Sequence, residues 1–145
     1  LTCLRHVLHP DRALPETGTD PSIRELQVGD APTICANSAY GEYISRAYIE
    51  EVISRGFSAG IEEKGNLIAW ATTHDDLAIG NLHVLPSHRR RGYAASLVSY
   101  LAREVRKAGY LPVMNIEERN TPSRGLARRL GFAEDREVTW IKLGG

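Results

Sequence analysis

The apolar residues of this chain change period once, and the change constrains its middle more than any other feature. From Leu77 to Leu85 they crowd as in a buried strand; from Tyr93 onward Ala94, Leu97, Val98, Leu101 and Val105 recur at helical spacing. Between them lies Pro86-Ser87-His88-Arg89-Arg90-Arg91-Gly92. A strand that turns directly into an amphipathic helix presents, at the strand's end, helix N–H groups that have no intrahelical partner. These carry the positive end of the helix dipole. Gly92 admits unusual torsions and a close backbone approach, and Ala94 keeps that approach open, so the junction suits a phosphate or pyrophosphate. It has neither the Gly-x-x-x-x-Gly-Lys-Ser/Thr of a Walker loop nor the Gly-x-Gly-x-x-Gly of a dinucleotide turn.

The flanking segments supply a sheet and its cover. Residues 1–20, with Pro10, Pro15 and Gly18 and little periodicity, predict a leader or linker, and 21–145 a single domain. Ser22 to Leu26 predicts a short strand. Asp30 is placed to cap a helix with Pro32 in its first turn; a second helix carries Ile44, Ala47, Tyr48 and Val52 and stops at Gly56. Phe57–Ile61 and Leu67–Thr72 form a hairpin across Glu62-Glu63-Lys64-Gly65-Asn66, and Thr73-His74-Asp75-Asp76 turns into the strand Leu77–Leu85. After the long helix, which ends at Gly109, come a strand at Leu111–Ile116, a helix capped by Thr121 with Pro122 first, and a strand at Glu137–Leu143. The order β-α-α-β-β-β-α-β-α-β makes an α+β, or mixed α/β, fold with helices on both faces of the sheet.

Charge narrows the partners. Lys and Arg number 18, as do Asp and Glu, so the arginine run is local and the chain lacks the broad cationic face of a nucleic-acid binder. No uncharged stretch is long enough for a membrane helix. Cys3 and Cys35 lack metal-ligand spacing and predict free thiols in a reducing compartment; no metal site is expected, and the location expected is cytoplasmic. The first residue, Leu1, implies a processed or trimmed chain or the end of a longer one.

Val84-x-Pro86-x-x-Arg89-x-x-Gly92-x-Ala94 resembles the acyl-CoA-binding motif of the GCN5-related N-acetyltransferase (GNAT) superfamily. Asn120-x-x-Ser123 followed by Leu130-Gly131-Phe132 resembles its second signature, and the likeness spans about residues 22 to 143. Tyr48 to Phe57 and "PVMNIEERNTPS" look most like the glycine N-acyltransferase type. The resemblance implies a three-layer fold around a twisted, mostly antiparallel sheet. It also implies acetyl transfer from acetyl-CoA, or another acyl-CoA, to a primary amine of a small molecule or amino acid in a ternary complex. Leu82, His83 and Val84 would pair with the pantetheine arm, the amides of Arg90, Arg91, Gly92, Tyr93, Ala94 and Ala95 would hold the pyrophosphate with Arg89 adding charge, and Asn120 and Ser123 would lie against the cosubstrate.

Proton transfer departs from the family pattern. Its usual glutamate, eleven residues before Arg89, is here Ala78; its usual tyrosine on the last helix is Ala127. The candidate substitutes are Asp76, if its strand begins early enough; His83, if a bulge turns it toward the face of position 78; and Ser123 as proton donor to the thiolate. Asn115 and Glu117 are placed to reach the acceptor. A water could equally take the proton and the thiolate leave unaided, its conjugate thiol having a pKa of about 8.5. A non-catalytic acyl-CoA-binding, regulatory domain is the alternative reading, and a homodimer stays open.

Overall fold

The computed structural model describes residues 2–14, 22–37 and 45–139. The described elements run β1 (Thr2–Val7), β2 (Ile23–Arg24), α1 (Ala31–Asn37), α2 (Arg46–Arg55), β3 (Ser58–Glu63), β4 (Asn66–Thr73), β5 (Ile79–Val84), α3 (Tyr93–Lys107), β6 (Val113–Glu117), α4 (Thr121–Arg129) and β7 (Ala133–Thr139). The fold is α+β. One antiparallel sheet has the order β2-β3-β4-β5 and a second the order β6-β1-β7.

The first strand corrects the reading of residues 1–20 as a leader. Thr2–Val7 is the middle strand of its sheet, antiparallel to β6 through Leu4↔Ile116 and to β7 through Leu4↔Glu137. Both of its faces are covered: Cys3, Leu4, His6 and Val7 are all buried. A strand covered on both sides shows no polar–apolar alternation, so its period is hidden. Residues 15–20, Ile44 and the end of the strand expected at Glu137–Leu143 lie outside the described residues.

Most other elements form where composition predicts. Lys64 (φ 53°) and Gly65 (φ 80°) both take left-handed torsions in the β3–β4 turn, which matches the twist of a tight hairpin. Ser45 caps α2 by accepting the Tyr48 N–H at 3.0 Å, and Gly56 follows its last turn. Two expected caps move. Asp30 lies in a 3-10 turn before α1 and accepts from the Gln27 N–H (2.8 Å), while its carboxylate pairs with Arg24 at 2.9 Å. Asn120, not Thr121, caps α4: its Oδ1 accepts from the Ser123 N–H at 3.2 Å.

Two cores flank the four-stranded sheet. On one face Leu97, Val98, Leu101 and Ala102 of α3 pack on Ala59, Ile61, Ala69, Ala71 and Ile79, joined by Met114, Ile116, Leu126 and Phe132. On the other, Ile34 of α1 and Ile49 and Ile53 of α2 enclose Trp70. Each such aliphatic side chain contributes about 1.5–3 kcal/mol on burial. The stripe along α3 therefore holds that helix, and with it the turn at Gly92, rigidly against β5.

Candidate active site

The site begins where the two sheets part. β5 is the last strand of one sheet and β6 the first of the other, and they are not hydrogen-bonded to each other. Both turn an edge toward the gap. The Leu85 N–H donates to the Ile68 carbonyl at 2.9 Å. By the alternation of an extended strand, the Val84 N–H therefore points away from β4, toward the gap. The Val84 carbonyl on the same side accepts from Arg89 Nε at 3.1 Å. Arg89 thus ties the phosphate-type turn to the strand end, a task the motif alone does not reveal.

At the head of α3, Gly92 caps the helix with φ 78° and ψ 10°, and Arg90 is also left-handed at φ 66°. The first intrahelical bond runs from the Ser96 N–H to the Gly92 carbonyl at 3.1 Å. The amides of Tyr93, Ala94 and Ala95 stand outside the helical ladder. A Cβ built on Gly92 meets nothing within 4 Å, so the space beside this glycine is open. Glu63, at the β3–β4 turn, reaches Arg91 Nη1 and His88 Nε2, each at 3.5 Å. Arg90 extends exposed. Asn120 and Ser123 sit together at the first turn of α4, bound to each other by the cap.

β5 also carries a bulge. Thr72 pairs with Gly80 and Trp70 with His83, so Asn81 and Leu82 together oppose Ala71. Asn81 takes φ 49°, and its Nδ2 donates to the buried Thr72 Oγ1 at 2.8 Å, which holds the extra residue in place. Paired residues share a face, and Trp70 and Thr72 share theirs by alternation. Gly80 and His83 therefore lie on one face, the side of α1 and α2. The bulge turns His83 to the face of Ala78, the condition its candidacy required.

The His83 ring stacks on Trp70 at 5.0 Å between centroids. Burial holds its pKa below the ordinary imidazole value, and the nearby Arg89 cation lowers it further, so the ring is neutral at pH 7. Asp76 behaves differently. β5 begins only at Ile79, and Asp76 stays exposed in the turn, its Oδ1 accepting from the Ala78 N–H at 2.9 Å. The expectation that it shares the strand face is corrected: its carboxylate closes the turn. Ala78 and Ala127 are both buried, at 4% and 0% exposure, so neither position opens onto solvent. Asn115 and Glu117 alternate with Met114 and Ile116, which face α3, and so lie on the opposite side of β6.

One constellation escaped the reading of motifs. His74, in the β4–β5 turn, meets Tyr48 of α2: Tyr48 Oη lies 2.7 Å from His74 Nδ1. The imidazole rests on Gly80, where any Cβ would collide with its Nε2. A glycine inside a predicted strand was the available signal, since it marks a close approach by another group.

A family model described as FR47-like protein matches residues 39–141. The chain belongs to the FR47-like family. Among solved structures, the FR47-like chain is similar to a Drosophila structural-genomics protein, with 26% identity and a TM-score of 0.84 over 94% of this chain and 48% of that one. It is similar to a protein of Novosphingobium aromaticivorans assigned as a GNAT acetyltransferase, with 24% identity, TM-score 0.71, and coverage of 94% and 60%. It is also similar to a Salmonella typhimurium protein assigned as an acetyltransferase and solved with its cofactor acetyl-CoA, with 20% identity, TM-score 0.63, and coverage of 78% and 79%. The FR47-like chain thus spans about half the length of the first and three-fifths of the second. No helix among the described residues is long and apolar enough to cross a membrane.

Proposed function

We propose that this chain is an acyl-CoA-dependent N-acyltransferase that moves an acetyl group from acetyl-CoA to a primary amine by direct attack in a ternary complex. The observation that carries the reading is the gap between β5 and β6, with the amides of α3 at its end. An extended pantetheine arm would satisfy the free edge of β5 as an added strand, and Leu82 would pack beneath it. The pyrophosphate would meet the amides from Arg90 to Ala95, whose fixed orientation and dipole favour an anion. Arg90 would add charge, and Asn120 and Ser123 would lie against the cosubstrate.

His83 is the base of this reading. Its neutral imidazole faces the acceptor side, and neither ring nitrogen hydrogen-bonds to the described protein. It accepts the proton that the attacking ammonium must shed, directly or through one water. Negative charge then grows on the thioester oxygen, and the Val84 N–H is oriented to stabilise it. The thiolate takes its proton from Ser123 or leaves unaided.

Acetyl-CoA titration with a thermal readout tests the binding half, and thiol release across an amine panel tests the transfer half. A rise in melting temperature with amine-dependent thiol release is expected. Absence of any shift at millimolar acetyl-CoA overturns the proposal. The buried Ala78 and Ala127 favour one rival, a non-catalytic acyl-CoA-binding domain, which predicts the shift without the release.

A further inference from the structure

The three arginines before Gly92 have three different fates, and the acyl-transfer reading gives a side-chain role to only two of them. Arg89 is tied to the Val84 carbonyl, and Arg90 has no side-chain partner among the described residues. Arg91 alone of the three meets a carboxylate among the described residues. Its Nη1 lies 3.5 Å from Glu63 Oε2, and the other oxygen of Glu63 lies 3.5 Å from His88 Nε2.

Register explains how a hairpin residue reaches this turn. Ile61 of β3 and Val84 of β5 both pair with Ala69 of β4. Glu63 lies two residues past Ile61, so it stands beyond the end of β5, beside the segment Pro86 to Gly92. β4 separates β3 from β5, whereas the gap toward β6 lies on the other side of β5. In reaching Glu63, Arg91 therefore points away from the gap that the pantetheine arm would enter.

The pair is too weak to be what holds the turn. Both contacts are longer than a charge-assisted hydrogen bond, which closes to about 2.7–2.9 Å. The Arg91 and Glu63 side chains are 50% and 40% exposed. An exposed pair shifts an equilibrium by about fivefold at most. The turn is fixed without it: the His88 N–H donates to the Leu85 carbonyl at 2.8 Å, Arg89 binds the Val84 carbonyl, and α3 is buried along its stripe. What the carboxylate does is occupy the cation next to Gly92. An arriving diphosphate is more negative than one carboxylate and competes with it for Arg91. Glu63 is not stranded when Arg91 leaves. His88 remains at its other oxygen, and the two line an open cavity of about 530 Å³ with Thr33, Asn66 and Leu85.

We propose that Glu63 is an internal competitor of the cosubstrate: it holds Arg91 in the free chain, and the guanidinium moves from that carboxylate to the diphosphate when acetyl-CoA binds. Glu63 thereby lowers the affinity of the anion site. The inference rests on the acyl-transfer reading for the identity of the ligand, although its chemistry requires only a diphosphate before the α3 amides. The opposite role, an anchor that keeps the turn in shape, predicts the opposite sign on binding.

Isothermal titration calorimetry tests it at low ionic strength, where exposed pairs are least screened. Kd is measured for acetyl-CoA, and for inorganic pyrophosphate as a second probe, in the unaltered chain, Glu63→Gln, Arg91→Gln and the double variant. Glu63→Gln is expected to tighten binding of both ligands by about three- to fivefold. In the Arg91→Gln background the same substitution should change Kd by less than about twofold, because no guanidinium is left to release. Without ligand the exposed Glu63→Gln should melt within about 2 °C of the unaltered chain, and Glu63→Ala replaces it in the cycle if it does not. Weaker binding in Glu63→Gln, a gain below about threefold, or a gain that persists in Arg91→Gln overturns the proposal. If pyrophosphate shows the cycle and acetyl-CoA does not bind, the acyl-transfer reading falls and the competition by Glu63 stands. If neither ligand binds the unaltered chain, both fall.

Discussion

Replacing Gly92 by Glu separates the cost of bending the backbone from the cost of filling the anion site. At φ 78° any side chain is strained, which costs about 1 kcal/mol relative to glycine. No atom lies within 4 Å of a Cβ there, so the strain is not compounded by a clash. A carboxylate at a helix N-terminus recovers about 0.3–1 kcal/mol from the dipole. The free chain should therefore melt within about 3 °C of the unaltered one, at roughly 3 °C per kcal/mol for a domain of this size. Acetyl-CoA at a hundredfold excess over its Kd stabilises by about 2.7 kcal/mol, or about 8 °C by the same conversion. Gly92→Glu should erase that rise, because its carboxylate occupies the space before the amides of Tyr93 to Ala95. Gly109→Glu is the control: φ is 91°, a Cβ again meets nothing, and the residue lies beyond the far end of the 15-residue helix α3. That is about 22 Å away. There the dipole opposes the carboxylate, so Gly109→Glu should be the less stable free protein and yet keep the full ligand shift. Differential scanning fluorimetry with and without acetyl-CoA measures both quantities. A Gly92→Glu variant that keeps a shift within about 2 °C of the unaltered chain would refute the placement of the pyrophosphate.

Three further outcomes follow from the same geometry. Arg89→Gln should raise the His83 pKa toward the ordinary imidazole value, since a neighbouring cation is removed; an unchanged proton-NMR titration midpoint contradicts the contact. His83→Gln should slow acyl transfer by about a hundredfold with little change in acetyl-CoA affinity, and a rate unaltered by the substitution would transfer the proton to water. Because burial lowers His74 and His83 in the folded chain, the unfolded chain binds protons first as pH falls. Their contribution is therefore whole above about pH 6.5 and is lost as pH drops through the folded values. Urea melts at pH 7.5 and 5.5 should show less acid sensitivity in His74→Gln/His83→Gln than in the unaltered chain, and equal sensitivity would refute the sign.

What could be read from residue order was whatever local spacing determines. The stripe from Ala94 to Val105, the Lys64-Gly65 turn and the helix stop at Gly56 each depend on a few neighbouring residues. Their structures follow from propensity and period. What could not be read depends on contacts across the sheet. Thr2–Val7 has the look of a linker because it is buried on both sides, and its pairing partners lie more than a hundred residues away. Leu4→Ala measures this directly: the side chain is 6% exposed, and its truncation should cost about 2–5 kcal/mol. The bulge in β5 rests on Asn81 reaching Thr72 across the strand pair, and without it His83 would be assigned to the wrong face.

The same distinction accounts for the missing carboxylate. A motif is read at fixed positions along one strand, and at those positions Ala78 offers no chemistry. The face of β5, however, is furnished from three directions: by its own bulge, which turns His83 inward; by the adjoining turn, which lays His74 on Gly80; and by α2, whose Tyr48 orients that ring. Gly80 and the bulge depend on each other in this arrangement. A side chain at 80 would expel His74, and a regular strand would turn His83 toward α3, where burial against the core would deny it an acceptor. Substituting Gly80 by Ala therefore tests the shared face more sharply than removal of either histidine. It deletes no functional group, yet the expelled ring should lose the Tyr48 hydrogen bond. The His74 titration midpoint should then rise as its burial is relieved. If His74 titrates unchanged in Gly80→Ala, the ring does not lie on the strand, and the acceptor side of this site must be built from other residues.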